Sequence, residues 1–414
     1  MVTNILHEGG ELLMLCHRIP YPPDKGDKIR SYQWVRALAE CCRLYLVAFV
    51  DDPRDWEYAP RLREFCAEVY LVPLKPYLAR LRGLPALATT APITTAYYRD
   101  KRIAVWVEEL LKRRPIKGIV VYSSAMAQYV SGHCFKRSMA ENCRRIIDFV
   151  DVDSDKWRQY ASQRRGAMAW IYRREAKRLL TYDTAIAQEF DLSIFVSQAE
   201  AAFFRKVAGL EIEPHFVTNG VDHLYFSPDP TRASPYPSGR AVVVFTGAMN
   251  YWPNVDAVCW FTAQVWPSVR EQMPNALFYI VGSHPDAKIM ALASDDIVVT
   301  GRVADVRPYL QHAAAVIAPM RIARGIQNKV LEGMAMARPV ILSSAGFTGI
   351  GASDEKCVLL AENAAEFAKR TSEVLLGSHA KVGKAARDFV IKYFDWEQSK
   401  KHFVSMLTDI TPDS

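Results

Sequence analysis

Residues 321–341, RIARGIQNKVLEGMAMARPVI, place Gly325, Lys329 and Glu332 at the start of an apolar helical run. The strand-like AVIAP precedes this stretch and PVILSS closes it. Gly325 lets the chain turn tightly and bring its backbone close to a ligand. A helix beginning near Gln327 leaves the N–H groups of Ile326, Gln327 and Asn328 unpaired in its first turn. Those donors and the helix dipole suit a diphosphate. Lys329 adds a mobile positive charge, and Arg321, just past the strand, a bidentate one. Glu332 falls one turn beyond Asn328 on the same face, where a carboxylate acceptor suits a pair of ribose hydroxyls. The alternative is a solvated helix start in which Glu332 pairs with Lys329.

A second glycine turn, FTGAMNYWPNVDA (245–257), ends a strand at Gly247 and again makes room for a ligand, with Asn254 expected to cap the next helix. Neither it nor PPDKGDKIRS carries the dinucleotide fingerprint, and no Walker A sequence occurs. In DFVDVDSDKWRQYA, Asp148, Asp151, Asp153 and Asp155 alternate like metal ligands. As an EF-hand loop the stretch fails, because Lys156 stands at the required glycine and Ser162 at the terminal glutamate. Asp151 and Asp153 remain candidates for a divalent ion; the favoured reading is that one or two of these acids, Asp151 among them, orient a substrate hydroxyl while the others cap the following helix. His17 follows the first strand and is a weak candidate for substrate contact. There is no G-x-S-x-G elbow and no HExxH.

The elements that must hold these residues alternate. Apolar runs at 12–16, 44–50, 118–122, 145–150 and 192–197 read as buried parallel strands, with helical patterns between several of them. The pattern repeats at 241–247, 277–282, 296–301, 314–319, 339–344 and 356–361, with helices near 254–271, 305–312, 327–337 and 363–377. Apolar periodicity is lost over 222–240. The chain therefore divides into residues 1–222 and 223–395, and the aromatic, amphipathic segment 396–414 is expected to pack back on the first part. Two such α/β domains are expected to gather the carboxyl ends of their sheets around one cleft.

With 414 residues, half of them apolar, the chain has material for two cores. Eight cysteines without a CxxC pattern read as reduced thiols. The start lacks a leader-like pattern, and no apolar run nears the roughly 18 residues of a membrane span, so a cytoplasmic location is expected. The net charge of +7 is uneven: Lys156–Arg178 holds eight cations against one acid, Glu175. That run, and the basic-apolar YLARLRGLPALATTAPITTAYYRDKR, fit a peripheral contact with an anionic membrane surface as well as a solvated face. No nucleic-acid recognition module accompanies them.

Four stretches in order, HRIPYPPDKGDKIRSYQWVRALA, FVTNGVDHLYFSPD, FTGAMNYWPNVDAVCWF and TGRVADVRPYLQHAAAVIAPMRIARGIQNKVLEGMAMARPVI, make the chain resemble a glycosyltransferase of GT-B fold. The resemblance covers almost the full length, falls in the broad group of family 4 retaining transferases, and is narrowest toward bacterial exopolysaccharide and exosortase-associated enzymes. It implies two Rossmann-like parallel-sheet domains facing a cleft, an acceptor-side first domain and a nucleotide-sugar-binding second one. It also implies a nucleoside diphosphate sugar donor, a glycan or polyprenyl-linked acceptor, and no metal. By the same resemblance Glu332 binds ribose, Gly325 to Lys329 hold the diphosphate, Arg302 lies near the base, and Gly26 approaches the donor phosphate or sugar. Many members carry a glutamate where this chain has Arg324, and a basic pair after the first strand of the second domain that AMNYWPNV lacks. Arg321 and Lys329 are the expected replacements for that pair. A nucleotide-sugar epimerase and a noncatalytic nucleotide-binding module are the alternatives.

Overall fold

A computed structural model describes residues 10–132, 143–211, 214–323, 325–350 and 355–408. Arg324 and Cys134 lie outside these ranges. The chain divides into one unit of residues 1–217 with 399–414, and a second of residues 218–398.

The first unit is built on a seven-stranded parallel sheet. Its strands are β1 (Glu11–Cys16), β2 (Arg43–Val50), β3 (Glu68–Pro73), β4 (Ile116–Tyr122), β5 (Arg144–Val150), β6 (Leu192–Phe195) and β7 (His215–Phe216), in the order β3-β2-β1-β4-β5-β6-β7. Every residue of β1 is buried, as expected of a strand covered on both faces. Strand β3 is not among the strands expected from sequence: its apolar run VYLV is short, is flanked by Glu68 and Pro73, and four of the six residues are only half-buried. The core beneath the sheet joins Leu13, Val47, Phe49 and Val121 to Trp106 and Phe204. Deeper still, Asp148 is fully buried and takes Arg30 Nε at 2.8 Å and Trp34 Nε1 at 2.7 Å. Phe403, on the C-terminal helix Trp396–Thr408, stacks on Trp34 at 4.2 Å.

The second unit has a six-stranded parallel sheet. Strands β8 (Ala241–Thr246), β9 (Ala276–Val281), β10 (Ile297–Gly301), β11 (Ala315–Ala318), β12 (Val340–Leu342) and β13 (Leu359–Leu360) run in the order β10-β9-β8-β11-β12-β13. Both orders reverse direction beside the first strand of the unit, the crevice where doubly wound sheets bind ligands. In the first unit that point lies beyond β1 and β4, and in the second beyond β8 and β11.

The helix Asn328–Ala335 buries Val330, Leu331, Met334 and Ala335 against β11 and β12. It sits so close that a Cβ on Gly333 would come within 2.8 Å of Val316 Cγ2. This tight seat carries the start of the helix to the second switch point.

Candidate functional site

The second switch point is assembled from two glycine turns. Gly247 follows β8 with φ +151°, and a Cβ on neighbouring Gly282 would lie 1.6 Å from the Gly247 carbonyl oxygen. Only a glycine at 282 allows this backbone contact. The Gly247 turn packs closely on Asn254 and Lys329: a Cβ there would meet Asn254 Nδ2 at 2.8 Å and Lys329 Cε at 3.5 Å. Gly325 has φ +62° and is packed against Gly349, whose added Cβ would lie 2.1 Å from the Gly325 carbonyl oxygen. The chain then enters the helix with Gln327 as an extended N-cap residue that makes no side-chain capping bond. Helical geometry thus begins at Asn328, one residue later than expected. The first-turn amides and the dipole of such a helix start favour an anion.

Lys329 is buried, with Nζ 2.9 Å from Asn254 Oδ1 and 4.9 Å from the centre of the Phe245 ring. Asn254 is therefore not the cap expected from sequence. It lies inside the helix Trp252–Gln264, donates Nδ2 to the Ala248 carbonyl at 2.9 Å, and offers its oxygen to the lysine. Burial lowers the Lys329 ammonium to about 8, with Glu332 opposing the shift. Glu332, half-buried one turn on, is raised to about 7 by burial, with the Lys329 charge opposing. The ammonium is thus bonded to Asn254 while Glu332 is held apart, unlike the simple ion pair that a solvated helix start would show. Asn328 Oδ1 and Thr246 Oγ1 are buried with no hydrogen-bond partner. Buried polar atoms are rarely left unsatisfied, and these lie on the residues flanking Lys329 and Gly247.

Tyr225 was missed in the sequence, where HLYFSPD gave no chemical signal. Its ring lies 4.0 Å beneath the Arg307 guanidinium, and burial together with the Asp305 charge pushes its hydroxyl up, with Glu332 adding to the shift. Arg302 is exposed directly after β10. Arg321 has a partner the sequence did not suggest: its Nε lies 3.0 Å from Asp256 Oδ2 and its Nη2 contacts the other carboxylate oxygen.

In the first unit, Gly26 is the exposed first residue of the helix Gly26–Ala39. The next residue, Asp27, takes His17 Nε2 at 3.3 Å and Arg18 Nη1 at 2.6 Å. Burial opposes its ionisation, yet the His17 hydrogen bond and the Arg18 charge hold this carboxyl well below the usual range. His17 also stacks on Tyr122 at 5.7 Å, and its Nδ1 is buried without a partner. Asp151 Oδ2 and Asp153 Oδ1 each accept from Lys156 Nζ at 2.8 Å. A lysine ammonium thus bridges the two carboxylates considered for a divalent ion. Backbone strain accompanies Asp151: the preceding Val150 has φ +68°, a value few β-branched residues adopt.

The paired Rossmann-like units are those of the GT-B fold. Sucrose-phosphate synthase from Thermosynechococcus elongatus superposes with a TM-score of 0.72 at 18% identity, over 96% of this chain and 98% of that one. HepE from Anabaena, solved in complex with UDP-glucose, gives 0.69 at 15% identity, over 97% and 100%. WaaG, a glycosyltransferase involved in lipopolysaccharide biosynthesis, gives 0.63 at 14% identity, over 96% and 100%. Residues 240–376, which contain Gly247, Arg302, Lys329 and Glu332, match the family model described as Glycosyl transferases group 1. No curated protein sequence matches the chain.

Proposed function

We propose that the protein transfers a sugar from a nucleoside diphosphate sugar to a hydroxyl of a glycan or polyprenyl-linked acceptor, with retention at C1, in the synthesis of a cell-surface glycan or exopolysaccharide. The observation that carries this reading is the buried Lys329 ammonium beside a helix start without a side-chain cap and a half-buried Glu332 one turn on, all inside the segment that matches the transferase family. In this reading Glu332 accepts the ribose hydroxyls, Lys329 and the first amides of its helix hold the diphosphate, and Gly247 leaves space for it. Gly325, Ile326, Gln327 and Asn328 form the turn around the phosphates, and Arg302 lies near the base. As the C1–O bond breaks, the electron pair leaves with the diphosphate, and Lys329 stabilises the growing charge. The acceptor oxygen forms the new bond to C1 from the same face, and its proton passes to a phosphate oxygen. Asp151, held by Lys156, is assigned to the acceptor hydroxyl, and Gly26 to the donor phosphate or sugar. Arg321 is a secondary contributor, since Asp256 already takes its guanidinium.

HepE was solved with UDP-glucose, which makes that donor the first to try. Calorimetric titration with UDP, GDP, ADP and dTDP in magnesium-free buffer, with a Glu332→Ala control, tests the site. Selective binding lost in the variant is the expected result, followed by turnover of the matching sugar nucleotide only when an acceptor is supplied. A folded protein that binds none of the four sinks the assignment, and turnover without an acceptor replaces transfer by epimerisation.

A further inference from the structure

The segment Leu74–Arg99 holds four cations and no acid. It folds as the helix Pro76–Gly83, a short turn Pro85–Ala88 and the helix Ile93–Tyr97. Its small residues Ala79, Gly83 and Ala86 face inward, while Tyr77 is 72%, Leu78 50%, Leu81 44% and Leu84 58% exposed. This is the reverse of a solvated helix, which turns polar residues outward.

The long helix Gly166–Glu189 begins beside it in the same manner. Ala169 is buried, while Met168 and Trp170 are exposed. Arg174, one turn after Trp170, donates Nη2 to the carbonyls of Ala86 and Thr89, which ties the two segments into one surface. The charge of this surface is one-sided for a structural reason. Glu175, the sole acid between Lys156 and Arg178, is 1% exposed and accepts the Ile93 and Thr94 amides at 2.7 and 2.8 Å. Lys75, Arg80, Arg165, Arg173 and Lys177 remain exposed. Arg82, also exposed, donates Nη1 to the Arg99 carbonyl and lies 3.9 Å from Asp100.

We propose that this face of the first unit lies on an anionic phospholipid bilayer. Exposed tyrosine, tryptophan and leucine enter the headgroup layer, and the surrounding cations take lipid phosphates while their stems lie along the apolar residues. The charge complementarity selects an anionic surface over a neutral one, and the bulky apolar side chains select a bilayer over free phosphate. No helix of the described residues is long and apolar enough to cross a membrane, so this contact lies in the interface. The proposal stands apart from the donor site, and either can fail without the other.

The test is co-sedimentation of the full chain with phosphatidylcholine vesicles, with and without phosphatidylglycerol. Binding is expected only with phosphatidylglycerol, weakening as salt rises. Arg80→Gln with Arg82→Gln is expected to lower the partition about 25-fold, at about fivefold per cation. Leu81→Ser with Trp170→Ser is expected to weaken it while leaving the salt dependence. Unchanged nucleotide affinity and circular dichroism establish that the variants are folded. Equal partition onto both kinds of vesicle, or partition insensitive to the arginine pair, overturns the proposal. So does self-association abolished by Leu81→Ser without vesicle binding, which assigns the face to a second copy of the chain.

Discussion

Donor binding should be confined to a pH window set by Glu332 and Lys329. A ribose hydroxyl donates to an ionised carboxylate and a diphosphate needs a charged ammonium, so the competent state has Glu332 deprotonated and Lys329 protonated. Glu332 is raised to about 7 and Lys329 lowered to about 8, each mainly by burial. Near pH 7.5 roughly three-quarters of each group is in the required form. At about pH 5.5 only about 3% of Glu332 is ionised, and affinity should fall about 25-fold. That fall lies within the roughly 1.5–3 kcal/mol that a hydrogen bond to a charged group supplies. A similar loss is expected near pH 9.5 as Lys329 loses its proton, with the bound diphosphate drawing that limb upward. Calorimetry should use a nucleoside diphosphate sugar, whose phosphates keep their charge throughout. Glu332→Gln should flatten the acid limb and Lys329→Met the alkaline one. The reasoning is refuted by wild-type affinity that is constant across the range, or by an acid limb that survives Glu332→Gln. Stability carries the opposite sign. Native Glu332 keeps a proton that the unfolded chain releases between 4.5 and about 7, so unfolding free energy falls by about 3 kcal/mol as pH rises through that window.

Asn254→Leu removes the acceptor at 2.9 Å from Lys329 Nζ. It should weaken donor binding about tenfold near pH 8 and move the alkaline limb to lower pH, whereas Asn254→Asp should move it to higher pH. Arg321→Met should cost less affinity than Lys329→Met in the same calorimetric comparison, because its guanidinium already has Asp256. Gly333→Ala places a methyl 2.8 Å from Val316 Cγ2 and should cost about 1–3 kcal/mol in urea unfolding, with part recovered when Val316→Ala is added.

Most strands that could be read from sequence are buried along their length, although β10 was legible with four of its five residues half-buried. Continuous runs such as LLMLC and AVVVF fit strands buried on both faces, whereas in β3 the shorter run VYLV lies between Glu68 and Pro73 and is mostly half-buried. At the site, Lys329 and Glu332 were legible because one helical turn relates them. Asn254 was misassigned for the complementary reason: its partner lies 75 positions away, and Pro-Asn before an apolar run looks locally like a cap. The same limit hid Asp256 as the partner of Arg321, 65 positions on, and Tyr225 beneath Arg307. Local spacing shows which groups face one way along a helix. It is silent on contacts made by the sheet order, such as Arg30 on Asp148, 118 positions apart.

The return of the chain at Ser399 makes the two units unequal as fragments. Residues 218–398 are one uninterrupted stretch that can be expressed from a single start and stop. The other unit cannot be cut out that way. Ending the chain at Val217 removes Phe403 from the face of Trp34, whose indole N–H is bonded to the buried Asp148. A single-chain version of it needs a peptide spliced from Val217 to Ser399, so that the last helix again covers that tryptophan.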